Sequence, residues 1–186
     1  MGLLTIIRKV KREEREMRIL VVGLDNAGKT TILKRLLGED PSEVSPTLGF
    51  SIVTLTRGGH RLHVWDVGGQ RSLRPYWRNY FEKTDGIAWV VDSADLDRMA
   101  DTREELARLL GAERLRGAGL LVLANKQDVP GAASAAEIEA QLGLSALKNR
   151  AVKLVPCSAI SGQGVEAGFD WLVAEIAQRL YPTEKV

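Results

Sequence analysis

"RILVVGLDNAGKTT", residues 18–31, decides how the rest of the chain is read. Its first half is a short run of branched apolar residues, the signature of a buried strand. Its second half carries a glycine, four free positions and then Gly-Lys-Thr, from Gly23 to Thr30, and runs on into "ILKRLL", whose apolar spacing is helical. A strand that turns into a helix through glycines brings backbone N–H groups and the positive end of the helix to one place, which suits a phosphate. In such a loop Gly23, Asp25, Asn26, Ala27 and Gly28 form the cradle and Lys29 supplies a cation to the outer phosphates. Thr30 is the expected magnesium ligand, with Thr31 in the same phosphate-binding set.

Outward from this loop, apolar runs alternate with amphipathic ones. "SIVTLT" (51–56), "RLHVWDV" (61–67), "GIAWVVDSA" (86–94), "GLLVLAN" (119–125) and "AVKLVPCSA" (151–159) read as strands beside "RILVVG" (18–23). "GKTTILKRLL" (28–37), "DTREELARLLGAERL" (101–115), "SAAEIEAQL" (134–142) and "VEAGFDWLVAEIAQRL" (165–180) read as helices. That order predicts an α/β fold: a mostly parallel six-stranded sheet with helices on both faces. Residues 51–67 are the exception, because Gly58-Gly59 between two strands is a hairpin signal, so one antiparallel edge strand is expected.

Two further stretches fall at strand ends, where ligands bind in open α/β sheets. In "WDVGGQ" (65–70) Asp66 is suited to hold magnesium through water, Gly69 lets the backbone approach a terminal phosphate, and the amide of Gln70 can orient a water. In "NKQD" Asp128 can accept two hydrogen bonds from guanine's ring N–H and exocyclic amine, donors that adenine lacks on that edge. Asn125 belongs to the same turn, the stem of Lys126 can lie against the base, and "CSA" at Cys157, Ser158 and Ala159 can offer a backbone N–H to the guanine oxygen.

The 186 residues fit one domain, residues 1–186, with a net charge of +2 and 27% charged residues. That balance gives no reason to expect a nucleic-acid partner. Cys157 is the one cysteine, so no internal disulfide forms, and the chain reads as intracellular. No apolar run is long enough to cross a bilayer. His60 and His63 read as structural, and Trp65, Trp89 and Trp171 as core anchors.

"GLDNAGKTT", "PTLGF", "WDVGGQ", "RPYWRNYF", "DSAD", "NKQD" and "CSA", in that order, resemble the Arf and Arf-like branch of the Ras superfamily of small GTPases. The resemblance spans the chain and implies the P-loop small GTPase fold, GTP/GDP and Mg2+ as ligands, slow hydrolysis, and a monomeric switch served by an activating protein and an exchange factor. It implies that Thr47 closes on magnesium and the terminal phosphate, that Gly69 contacts that phosphate and that Gln70 is the catalytic, water-positioning residue. "RPYWRNYF" (74–81) looks like the second switch helix, its rings either core or partner surface. Features such as "SPTLGF" resemble the type-two Arf-like subgroup, implying tubulin folding cofactor D, binder-of-Arl proteins and delta prenyl-binding-type carriers as partners. A cytoplasmic location is expected, with a microtubule-organising or mitochondrial pool by resemblance. No arginine precedes Thr47 in "GEDPSEVSPT", and Asp25 sets a carboxylate near the phosphates, so unassisted hydrolysis is expected to be slow.

The start, "MGLLTI", departs from the acylation pattern Met-Gly-x-x-x-Ser/Thr because its sixth residue is Ile6, which argues against a lipid on Gly2. Leu3, Ile6, Ile7 and Val10 share one helical face against Arg8, Lys9 and Arg12, so residues 2–12 are expected to form an N-terminal amphipathic helix. Such a helix docks on the protein or makes weak membrane contact. Three other readings stand beside the switch: a P-loop kinase or ATPase, which leaves "NKQD" unexplained; an Arf-type coat recruiter on membranes; and a GTP-loaded scaffold that hardly hydrolyses.

Overall fold

The structure, a computed structural model, describes residues 2, 3, 5, 6 and 15–182. Six strands form one sheet: β1 (Glu16–Val22), β2 (Phe50–Arg57), β3 (His60–Val67), β4 (Gly86–Asp92), β5 (Gly119–Asn125) and β6 (Val152–Pro156), in the order β2-β3-β1-β4-β5-β6. Only β2 runs antiparallel, paired with β3 from Phe50↔Val67 to Arg57↔His60. Gly58 (φ 58) and Gly59 (φ 75) turn this hairpin, and two successive positive φ values are what a two-residue turn matching the strand twist requires. β4 and β5 are buried almost throughout, as expected of parallel strands covered on both faces, whereas β2 is an exposed edge.

Among the described residues four helices cover the sheet: α1 (Lys29–Leu37), α2 (Met99–Leu110), α3 (Ala135–Leu142) and α4 (Val165–Leu180). One core joins Met99, Leu106 and Leu109 of α2 and Ile138 of α3 to Trp89 and Leu120 of the sheet. The other joins Ile32 and Leu33 of α1 and Phe169, Leu172 and Ile176 of α4 to Ile19, Val90 and Leu121. The two layers follow from the strands' alternation, since neighbours such as Trp89 and Val90 point to opposite faces. α3 starts at a capping box, in which Ser134 Oγ accepts from Glu137 N and Glu137 Oε2 accepts from Ser134 N.

Several expected boundaries shift. The helix expected over 101–115 begins at Met99, ends at Leu110 and is followed by a separate 3-10 turn, Glu113–Leu115. β6 ends at Pro156, which has no N–H to continue a ladder, and Cys157–Ala159 belong to the following loop. Residues Arg74–Tyr80 form a 3-10 helix. With three residues per turn, Arg74 and Trp77 share its inner face while Tyr76 points to solvent. Of the tryptophans, Trp89 is wholly buried and Trp65 and Trp171 sit half-buried at the core margins. His60 stacks on Tyr181, and His63 meets Thr54 and Glu16, structural contacts in both cases.

The amphipathic helix expected over 2–12 lies largely outside the described residues. At its start Gly2 O accepts from Thr5 N (2.9 Å) and Ile6 N (3.2 Å), one helical turn, with Leu3 and Ile6 exposed. Among the described residues no helix is long and apolar enough to cross a membrane.

Phe169 is fully buried in the α1/α4 core. Its replacement by alanine leaves a cavity under the sheet and is expected to lower unfolding stability by about 3–5 kcal/mol. Urea titration of the purified protein measures this, and a loss below 1 kcal/mol would mean that the core assignment is wrong.

Candidate functional site

The sheet order reverses at β1, so the loops after β1 and β3 open into one crevice at the strands' C-terminal ends, where α1 also begins. A cleft there is lined by Asp25, Asn26, Gly28, Lys29, Thr30 and Thr31 from the first loop, Thr47 from the segment before β2, and Gly69 and Gln70 after β3. Three of the expected residues converge on one carboxylate. Thr30 Oγ1 donates to Asp66 Oδ2 at 2.6 Å, Thr47 Oγ1 lies 2.8 Å from Thr30 Oγ1, and Thr47 Oγ1 donates to the same Asp66 oxygen at 3.5 Å. The other oxygen, Asp66 Oδ1, is buried without a hydrogen-bond partner. Burial pushes the Asp66 carboxyl above its usual range, against the pull of Thr30, Lys29 and Thr47.

A desolvated carboxylate with a free oxygen beside two hydroxyls is an all-oxygen donor set for a hard cation such as Mg2+. Among the described residues no three His, Cys, Asp or Glu side chains gather as a metal site, so a cation here would rely on hydroxyls, one carboxylate and the ligand's own oxygens. Lys29 Nζ donates to Gly23 O (3.0 Å) and Leu24 O (2.7 Å), closing the loop on itself, and burial lowers its pKa to about 8 although Asp66 and Asp25 draw it upward. An arriving phosphate would supply the anion that this desolvated ammonium lacks.

Gly69 approaches the first loop so closely that a Cβ there would stand 2.4 Å from Gly23 O and 2.5 Å from Asp25 N. Only glycine lets these two loops touch. Its carbonyl accepts from Asp25 N at 3.2 Å, and the neighbouring Gly68 N donates to Gly49 O at 2.8 Å, which ties the segment after β3 to the one before β2. Gln70 is half-buried beside them, and its Oε1 has no hydrogen-bond partner.

The expected base-binding residues gather on the far side of the crevice with a different division of labour. Asn125 is buried and acts as a stitch: its Nδ2 donates to Ala27 O, and its Oδ1 accepts from Ala159 N, both at 2.9 Å. The N–H of Ala159, one of those that "CSA" was expected to offer a guanine oxygen, is therefore already engaged, and a base would have to share it. Cys157 N and Ser158 N are taken by Ala124 O and Gln163 O, and Ser158 Oγ accepts from Ser161 N. Lys126 pairs with Asp92 at 2.6 Å, and Asp128 is exposed.

Sequence reading missed two arginines. Asp25, expected to present a bare negative charge to the phosphates, is paired instead. Arg98 donates to its Oδ1 at 2.9 Å and its carbonyl at 3.0 Å, and Arg74 lies 3.5 Å from the same oxygen. The one available signal was Asp25 itself, since an acidic residue in a phosphate loop needs a cation nearby.

Residues 3–176 match the ADP-ribosylation factor family. The chain is 58% identical to ADP-ribosylation factor-like protein 2 of Arabidopsis thaliana over 182 residues, 97% of this chain and 98% of the relative. It is 55% identical to the protein of the same name in Drosophila melanogaster (97% and 98% covered) and 50% identical to ADP-ribosylation factor-like protein 3 of Chlamydomonas reinhardtii (95% and 99%). Among solved structures, the Arl6 BBS3 small GTPase of Trypanosoma brucei with bound nucleotide analogue GppNp superposes with a TM-score of 0.80 at 30% identity, covering 88% of this chain and 98% of that one.

Burial pushes the Cys157 thiol up to about 12. An unfolded thiol ionises at about 8.5, so this contribution to stability is full below that pH and declines as pH rises toward the folded value. Iodoacetamide at pH 8 should label the native protein more slowly than the urea-unfolded chain by on the order of 100-fold. Equal rates would show the thiol to be exposed.

Proposed function

The chain belongs to the ADP-ribosylation factor family of small GTPases, which bind GTP or GDP with Mg2+ and hydrolyse GTP, and we propose that it works as a type-two Arf-like switch. The observation that carries the site reading is the convergence of Thr30, Thr47 and Asp66 beside the phosphate loop. Gly23 to Gly28 cradle the phosphates through backbone N–H groups, and Lys29 leaves the carbonyls of Gly23 and Leu24 for the outer phosphates. Thr30, Thr47 and Asp66 would hold the cation, Asp66 by way of water, and Mg2+ would neutralise charge on the phosphate oxygens. Gly69 N–H contacts the terminal phosphate. Gln70 uses the carbonyl that finds no protein partner to orient a water toward the γ-phosphorus. Attack would form one P–O bond to the water oxygen and break the bond from the γ-phosphorus to the β-phosphate oxygen, giving GDP and inorganic phosphate, with one water proton kept on the phosphate and the other released to solvent. Asp128 selects guanine, with Lys126 against the ring, while Asn125, Ser158 and Ala159 shape the base side.

Thr47 stands 2.8 Å from Thr30, so the segment before β2 is closed over the site in this structure. The terminal phosphate would hold that closure and hydrolysis would release it, the order-to-disorder logic of a switch. Family members act with activating and exchange proteins, and we extend this to finer partners. Leu48, Phe50, Ile52 and Tyr76 expose apolar surface around the two phosphate-sensing segments. This surface, together with the likeness to proteins named ADP-ribosylation factor-like protein 2, supports tubulin folding cofactor D and carriers of lipidated cargo as partners, met in the cytoplasm.

Paired affinity capture tests this reading, with Gln70→Leu loaded with GTP and Thr30→Asn biased toward the GDP or empty state. Cofactor D or lipid-cargo carriers enriched on one bait are expected. Coat proteins in their place would move the chain to membrane traffic, and identical captures on both baits would contradict a switch.

A further inference from the structure

Beside the nucleotide crevice lies a second cleft, between the 3-10 helix Arg74–Tyr80 and α2, and its floor is a buried arginine. The side chain of Arg74 is 5% exposed. Its Nε donates to Gly69 O at 3.0 Å, its Nη1 to Asp101 Oδ2 at 2.9 Å and Glu105 Oε1 at 3.5 Å, and its Nη2 to Asp25 Oδ1 at 3.5 Å. One guanidinium thus joins the phosphate loop, the backbone after β3 and helix α2. The hydrolysis scheme gives it no role.

We propose that Arg74 is a positioning residue that sets the site's preference for a nucleoside triphosphate over a diphosphate, by fixing the backbone of Gly69. The inference rests on Gly69 being the terminal-phosphate contact. Gly69 has no side chain by which to be held, and its location is set through its carbonyl, which accepts from Asp25 N and from Arg74 Nε. Arg74 is anchored in turn to Asp101 and Glu105 of α2, an element packed into the core through Leu106 and Leu109. In the closed arrangement Arg74 thereby holds the Gly69 N–H where a terminal phosphate would meet it, which favours the ligand that uses it. A diphosphate fills the cradle from Gly23 to Thr30 and gains nothing at Gly69. A contact made by one ligand and not the other is what shifts a preference between them.

The residue type fits the task. A planar fork with five donors reaches four acceptors on three elements at once, whereas an ammonium is a single point. The surrounding charges are balanced around that fork: Asp25 also pairs with Arg98 at 2.9 Å, and Glu105 with Arg108 at 3.2 Å. Lysine at position 74 therefore keeps the charge while losing the fork, and leaves less disruption than alanine.

The test measures release of fluorescent GDP and of a fluorescent non-hydrolysable GTP analogue from the full chain in Mg2+, for wild type, Arg74→Lys and Asp101→Asn, with thermal melts of each. Arg74→Lys is expected to raise the ratio of triphosphate to diphosphate release rates by about tenfold. Asp101→Asn, which loosens Arg74 from the far side without touching the crevice, should move the ratio the same way by less. A merely structural arginine would lower the melting temperature and accelerate both nucleotides alike, leaving the ratio fixed, and that result overturns the inference. A wild type that binds neither nucleotide overturns the site reading itself, and the inference with it.

Discussion

The Asp66 carboxylate is the constraint around which the site is arranged. It is wholly buried at the end of β3, held by the Thr30 hydroxyl through one oxygen and left without a partner at the other. A charged group taken out of water and half satisfied is costly, and burial pushes its pKa up for that reason. A divalent cation beside this carboxylate would offset that cost. β1 and α1 exist in register to bring Thr30 to this carboxylate, and the parallel pairing Val21↔Asp66 holds the two loops level.

From that point the coupling runs outward through a few bonds. Thr47 belongs to a stretch without helix or strand between α1 and β2, and reaches the cluster by one hydroxyl at 2.8 Å from Thr30 and 3.5 Å from Asp66. The two phosphate-sensing segments are joined by Gly68 N to Gly49 O, and Trp77 Nε1 donates to Gly68 O at 2.9 Å from the 3-10 helix. A segment held by so few contacts can be released. Moving such an equilibrium from almost all open to almost all closed takes about 5.5 kcal/mol of differential binding. A terminal phosphate with its cation has the charge to supply interaction of that order, whereas exposed side-chain pairs at the surface do not.

Much of this was legible in the sequence for a physical reason: strands buried on both faces must be continuous apolar runs, and phosphate loops must be glycine-rich. β1, β4 and β5 and the loop that carries Thr30 follow from that, the hairpin follows from the Gly58-Gly59 turn signal, and Thr47 was placed beside Thr30 and Asp66 by the family resemblance alone. What was not legible depends on side chains reaching across the fold. Arg74 and Arg98 close on Asp25 from positions 49 and 73 residues away, and no spacing announces such a pair. Asn125 reads as a ligand contact in "NKQD" and turns out to spend its amide on Ala27 and Ala159, because a buried amide must satisfy its own donors and acceptors first. The 3-10 form of residues 74–80 likewise depends on burying Arg74 and Trp77 together, a tertiary demand that outranks local propensity.

A switch requires the two loops to close over a terminal phosphate. Amide hydrogen exchange, compared between the Mg2+·GDP form and the form with Mg2+ and a non-hydrolysable GTP analogue, reads this directly over residues 44–50 and 67–81. Slower exchange of both segments with the triphosphate alone is the predicted result. Equal exchange in the two forms, with nucleotide bound in each, would contradict the switch.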